Sequence, residues 1–208
     1  MNIKHKQPFW VMNDHQLRNA LKRRILYRCM KDKSGLLLEE VGLAHGAVKA
    51  DLVLVRDTLH GFEIKSDGDT LHRLANQMRF YSSVFDRVTL VVGYRHAYES
   101  LQMVPEWWGV TVAHLGLRGA IQFSYARSAQ SNPSPDVRAL AKLLWRDEAL
   151  ALLGEIGLSD GMRSKPRAAI HGRVAEVAKF ELVRSWVCQQ FKSRAGWKSG
   201  ALRTPDGG

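Results

Sequence analysis

Leu17, Leu21, Ile25 and Cys29 recur every four residues, which places one apolar stripe along a helix that Asn13 or Asp14 can cap and that runs to about residue 30. Arg18, Lys22, Arg23 and Lys33 are left for its other faces, and Lys33-Ser34-Gly35 stops it. The period then drops to that of strands, over residues 36–41, 50–56 and 59–66. The loop 42–46 separates the first two strands, and the short Asp57-Thr58 link predicts a hairpin between the last two. A second helix, capped by Asp69 and ending near residue 85, carries Leu71, Leu74, Ala75, Met78, Tyr81 and Phe85 at helical spacing. Residues 88–92 form a continuous apolar run, the mark of a buried strand. A short helix over 97–103 and strands over 110–115 and 120–125 complete a mixed α/β unit.

Residues 128–135, Ser-Ala-Gln-Ser-Asn-Pro-Ser-Pro, have linker composition. They divide the chain into a core, 1–127, and a helical, basic accessory region, 136–208. Helices are predicted there over 136–156 and 167–191, the second with Phe180, Val183, Val187 and Phe191 on one face. Between them Ser164 can cap and Pro166 can sit in the first turn, while 196–208 read as a frayed tail.

Composition narrows the class. Hydrophobic residues make up 45% of the 208, enough for a packed core. No apolar run approaches the roughly 20 residues of a membrane span, and Met1-Asn2-Ile3-Lys4-His5-Lys6 leads into no signal-type stretch, so a cytoplasmic, non-membrane protein is expected. Cys29 and Cys188 are far apart and outside any CxxC pair, which argues against a structural zinc or a disulfide. The net charge of +11 is unevenly placed. Lys and Arg outnumber acids nine to two in residues 1–33 and ten to four in 159–208, while 34–158 hold twelve against fourteen. Basic flanks suit a polyanion backbone, and an acidic middle suits a metal cation.

The chemistry concentrates in that middle. Glu63 and Lys65 stand one residue apart on a strand, so both point to one side while Ile64 points to the other. Asp51 opens the preceding strand, and a carboxylate on each of two neighbouring strands can share one hard divalent cation. Lys65 can then orient or deprotonate a water, or neutralise a phosphate. Arg73, Gln77 and Tyr81 lie on one line of the next helix and can hold phosphate, base or sugar, although Tyr81 also fits a core position. His60 and His72 show no ligand spacing, Trp107-Trp108 fit capping of the core better than base stacking, and a loop and a cap account for Asp67 and Asp69.

Together these residues resemble the PD-(D/E)XK nuclease superfamily. Asp51…Glu63-Ile64-Lys65 matches its defining motif, with Ala50 where the motif has proline, and Gln77-Met78-Arg79-Phe80-Tyr81 matches the QxxxY motif of its RecB-like branch, without that branch's iron–sulfur cysteines. The stretch from Glu40 through Lys65 also looks like MmcB-type bacterial DNA repair proteins and related small phage-borne proteins. The resemblance implies a restriction-endonuclease-like αβββαβ core with a mixed sheet. It implies a Mg²⁺- or Mn²⁺-dependent deoxyribonuclease, with DNA repair or phage and mobile-element defence as settings. The metal would be held by Asp51, Glu63, the Ile64 carbonyl and Glu40 (Glu39 being the substitute), with Lys65 serving the attacking water and Gln77, Tyr81 and Arg73 holding substrate. Residues 157–167 loosely resemble SAP-like DNA-binding modules, in which Arg163, Lys165 and Arg167 would face the phosphate backbone; a helical brace or dimer surface is the alternative. Three readings are carried forward: a DNA nuclease, an inactive nuclease-fold protein that binds nucleic acid or a protein partner, and an RNA-directed nuclease.

Overall fold

The computed structural model describes residues 12–31 and 35–200, with side chains through 195. Expectations for the chain start, for the helix stop at Lys33-Ser34 and for the tail beyond residue 200 lie outside the described residues.

The first helix, α1 (Asp14–Lys31), buries Leu17, Leu21, Ile25 and Cys29, the stripe read from the sequence. Asn13 is its cap: Gln16 N–H donates to Asn13 Oδ1 at 2.9 Å, and Asn13 N–H donates to Gln16 Oε1 at 3.2 Å. Six strands follow: β1 (Leu36–Leu43), β2 (Val48–Val55), β3 (Leu59–Lys65), β4 (Arg87–Gly93), β5 (Gly109–Leu115) and β6 (Ile121–Arg127). They lie side by side in chain order as one sheet. β3, β4 and β5 are parallel to one another, and every other pairing is antiparallel. Each parallel step needs a crossover, supplied by α2 (Leu74–Val84) and α3 (Ala97–Met103). The fold is therefore α/β with a six-stranded mixed sheet, and it contains the helix–three strands–helix–strand order predicted from the chain.

Alternation sorts the strand side chains between two layers. Leu52, Phe62, Ile64, Val91 and Ala113 face α1. Val53, Val55, Leu59, Leu90, Val92 and Val110 face the opposite layer, which holds α2, α3 and the C-terminal helices.

Three predicted helices change. The second begins at Leu74 rather than near Asp69, because the Asp69 carboxylate folds back to accept from Ser66 N–H (2.7 Å) and Ser66 Oγ (2.6 Å), a local turn that competes with helix. The 136–156 helix is two, α4 (Val137–Ala141) and α5 (Arg146–Glu155), divided where extended Trp145 donates its N–H to the Glu148 carboxylate. The 167–191 helix is also two, α6 (Arg167–Val177) and α7 (Phe180–Gly200), with Ala178 extended between them. Pro166 caps α6 from outside its first turn with no side-chain cap from Ser164, and α7 continues as helix to Gly200 where fraying was expected.

Residues 128–135 lack helix and strand, yet they are bonded to the core. Gln130 N–H donates to Trp107 O, Asn132 N–H to Asp86 O, and the Asn132 amide to the carbonyls of Ser82 and Phe85. Beyond them Leu140, Leu144, Leu152, Ile170, Val174, Val183 and Val187 share one hydrophobic cluster with Leu43, Tyr81 and Leu90. Among the described residues no helix is long and apolar enough to cross a membrane.

Candidate active site

The register of the sheet sets the acids in a row. Glu39↔Leu52 and Val41↔Ala50 bracket Glu40 opposite Asp51, and continuing Leu52↔Phe62 by one residue sets Asp51 opposite Glu63. Three carboxylates thus cross three neighbouring strands. Like charges placed directly opposite are unfavourable, and the backbone departs from the ladder here. Glu40 has φ 53, a left-handed conformation that costs a non-glycine residue roughly 1–3 kcal/mol. Ile64 N–H is taken by Asp51 Oδ2 at 2.8 Å, and Asp51 N–H donates to Tyr81 Oη at 3.1 Å.

Cations are interleaved with the acids. Arg18, reaching over from α1, donates to Asp51 Oδ1 at 2.7 Å, to Asp51 O at 3.3 Å and to Glu40 Oε1 at 3.0 Å. Lys65 Nζ lies 2.7 Å from Glu63 Oε1, and Lys49 Nζ lies 3.8 Å from Glu40. Glu39 points to the α1 layer and pairs with Lys22 at 2.5 Å, so Glu40 is the upstream acid that joins the row.

Glu63 is almost wholly buried, 1% exposed. Its Oε1 also accepts from Gln77 Nε2 at 2.5 Å, and its Oε2 accepts from Tyr81 Oη at 2.5 Å. Burial pushes the carboxyl pKa values of both Asp51 and Glu63 upward. At Glu63 the Asp51 charge adds to the rise while Lys65 and Tyr81 oppose it; at Asp51 the opposition comes from Arg18 and the Ile64 N–H. Burial and the Glu63 charge raise the Tyr81 phenol too, which keeps it a proton donor.

Gln77 and Tyr81 share one line of α2, as read from the sequence, and both contact Glu63. Tyr81 is 0% exposed and cannot touch a substrate; both residues hold Glu63. Gln77 Oε1 is buried without a hydrogen-bond partner, an acceptor left over at the site. Arg73 caps α2 with its side chain in solvent and meets none of the acids. Arg163, Lys165 and Arg167 lie elsewhere. The carbonyls of the first two accept from Arg146, and the Arg167 guanidinium donates to Leu144 O (3.2 Å) and Lys142 O (3.4 Å), so it braces α6 on the end of α4. His60 faces the α1 layer, bonded to Thr89 Oγ1 at 2.8 Å and pushed down to about 4 by burial. Trp108 is fully buried.

Sequence reasoning missed Arg18. Its one signal was its place on the border of the apolar stripe, one turn after Asp14, which it also contacts at 3.4 Å. Among the described residues no group of three or more His, Cys, Asp or Glu side chains is disposed to hold a metal ion, and the Arg18 guanidinium donates to both Glu40 and Asp51. Asp51 and Glu63 remain a pair of carboxylates on neighbouring strands beside the unpartnered Gln77 Oε1. That chemistry fits Mg²⁺ or Mn²⁺ with retained waters.

A stretch of 66 residues is 36% identical to Protein cII of Enterobacteria phage P4, covering 32% of this chain and 25% of that protein. The chain thus spans about a quarter of the length of that curated relative. A solved protein of unknown function from Silicibacter pomeroyi aligns with 74% of this chain and 98% of its own, at 17% identity and a TM-score of 0.42. Residues 12–203 match the family described as bacteriophage P4 protein cII, and the chain belongs to that family.

Proposed function

We propose that this protein is a metal-dependent nuclease of the PD-(D/E)XK type that hydrolyses phosphodiester bonds in DNA. The observation that carries the reading is the convergence on one buried carboxylate, Glu63, of the neighbouring acid Asp51, the lysine Lys65 and the helix pair Gln77 and Tyr81. A buried acid so heavily supported is held ready for a cation or a reacting group rather than for stability alone.

Asp51, Glu63 and the Ile64 carbonyl would hold the ion, with Glu40 acting through water. When bound, a divalent ion supplies charge to the phosphate oxygens and acidifies a water. Lys65 stands beside Glu63 to orient that water or meet the developing charge on the phosphate. Gln77 and Tyr81 fix the Glu63 carboxylate in one orientation. Arg18 donates to Asp51 Oδ1, so it would compete with an ion for that carboxylate. This last contact also favours a second reading, a nuclease fold that binds DNA or a partner without cutting.

Incubation with linear, circular, single-stranded and branched DNA, and with RNA, in Mg²⁺ or Mn²⁺ separates these readings. Cleavage of DNA that is lost on chelation and in Asp51→Ala, by about 10²- to 10⁴-fold, is expected. Near wild-type cleavage by a folded Asp51→Ala protein would overturn the assignment.

A further inference from the structure

Two tyrosines that the site does not use stand in solvent beside it: Tyr94 is 76% exposed and Tyr98 79%. They are four residues apart, Tyr94 in the 3-10 turn Tyr94–His96 and Tyr98 in α3. Their place follows from the register. Lys65 pairs with Val92 in the parallel β3–β4 ladder, so Tyr94 begins just past the strand end that carries Lys65. α3 packs Ala97, Leu101 and Met103 into the layer shared with α2, the side of the sheet that Glu63 and Lys65 face.

The segment is firmly tied to the active strand. Arg95 N–H donates to Asp67 Oδ1 at 3.1 Å, the Arg95 guanidinium lies 3.4 Å from Asp67 O, and His96 Nε2 bonds Asp69 O at 3.0 Å. Gly93 permits this, since a Cβ there would sit 2.2 Å from the Asp67 carboxylate. The turn after Lys65 is thus clasped to the turn that bears the tyrosines, and His96 is buried beneath them while Arg95 stays exposed.

We propose that Tyr94 and Tyr98 are a stacking platform for unpaired bases, with the exposed Arg95 on the adjoining phosphate, so that the enzyme acts on single-stranded DNA or on unpaired ends and flaps. The proposal rests on the nuclease reading above. In a continuous duplex each base face is covered by its neighbours, whereas an unpaired base leaves its face open to an exposed aromatic ring, and such stacking tolerates any sequence. Trp107 and Trp108 pack on the hydrophobic core, Trp108 fully buried and Trp107 in part, as the sequence favoured, while Tyr94 and Tyr98 leave their rings exposed.

The test measures binding of the full chain to labelled single-stranded, overhang and blunt duplex DNA in Ca²⁺, a probe that needs no cleavage. Tyr94→Ala and Tyr98→Ala should each weaken single-strand and overhang binding by roughly 5- to 150-fold, the range for one lost base stack. Phenylalanine at both positions should bind as the wild type does, and blunt duplex affinity should stay unchanged in all variants. Equal losses on duplex and single strands, or single-strand binding untouched by alanine, would overturn the platform; tyrosine-dependent binding of a protein partner alone would do the same. Tyrosine-dependent DNA binding without metal-dependent cutting supports the platform and removes the nuclease reading. Cleavage confined to duplex, indifferent to the tyrosines, does the reverse.

Discussion

Three carboxylates in one lateral row cannot all stay ionised without cations among them, and here the cations are Arg18 and Lys65. Because burial raises the pKa values of Asp51 and Glu63, each contributes stability that is present below the ordinary carboxylate range, about 4, and lost as pH rises through the raised value. The metal-free protein should therefore melt at falling temperature as pH climbs from the acid side toward neutrality. Mn²⁺, which binds the ionised pair, should flatten that fall, and Asp51→Asn should flatten it without metal. A thermal scan across pH checks this; a metal-free stability that rises over the same window contradicts it. Arg18→Ala removes the cation that competes for Asp51. It should lower stability by about 1–3 kcal/mol yet tighten Mn²⁺ binding in calorimetry, and weaker binding would make Arg18 a support of the site rather than its occupant. Lys65→Ala should keep metal affinity and lose turnover by about 10²- to 10⁴-fold. If affinity falls as far as turnover, the lysine acts on the ion.

The site depends on how closely α2 approaches β3. Gly61 makes that approach possible, because a Cβ there would meet the Phe85 ring at 2.5 Å. Phe85 closes α2, and one turn earlier Tyr81 reaches Glu63 and Asp51 while its ring meets Phe85 at 5.2 Å. Gly61→Ala should push the helix outward, cost about 1–3 kcal/mol through overpacking, and loosen Gln77 and Tyr81 from Glu63. Calorimetry paired with cleavage rates well below the melting point is the measurement. A variant that is destabilised but cleaves at the wild-type rate would show that α2 supports the fold without setting the acid's geometry.

At the scale of the whole chain, residues 136–195 are tied into the rest. α4–α7 supply a large share of the cluster that covers the sheet, and Arg184 pairs with Asp86 at 3.1 Å. Burial of each large apolar side chain contributes roughly 1.5–3 kcal/mol, and a domain's net stability is only about 5–15 kcal/mol. Truncation after residue 135 should therefore abolish cooperative melting and expose the core to protease. A truncated chain that melts cooperatively would restore residues 128–135 as a boundary between independent units.

What the sequence determined by itself was local or periodic. The α1 stripe, the strand positions and the Asp51…Glu63-Ile64-Lys65 spacing were legible because helix period, strand alternation and motif spacing are properties of neighbouring residues. The breaks at Trp145 and Ala178 were not, since apolar residues run through both and only the packing of α4–α7 on one sheet face requires them. Nor was Arg18 legible: its partners are 22 and 33 residues away and meet it only once α1 packs on the sheet. Tyr81 fitted either a substrate contact or a core position and is buried against Glu63, because helix periodicity gives a residue's line but not the depth at which the helix sits. That depth was decided by Gly61 beneath Phe85, a contact of two residues that only the folded chain brings together.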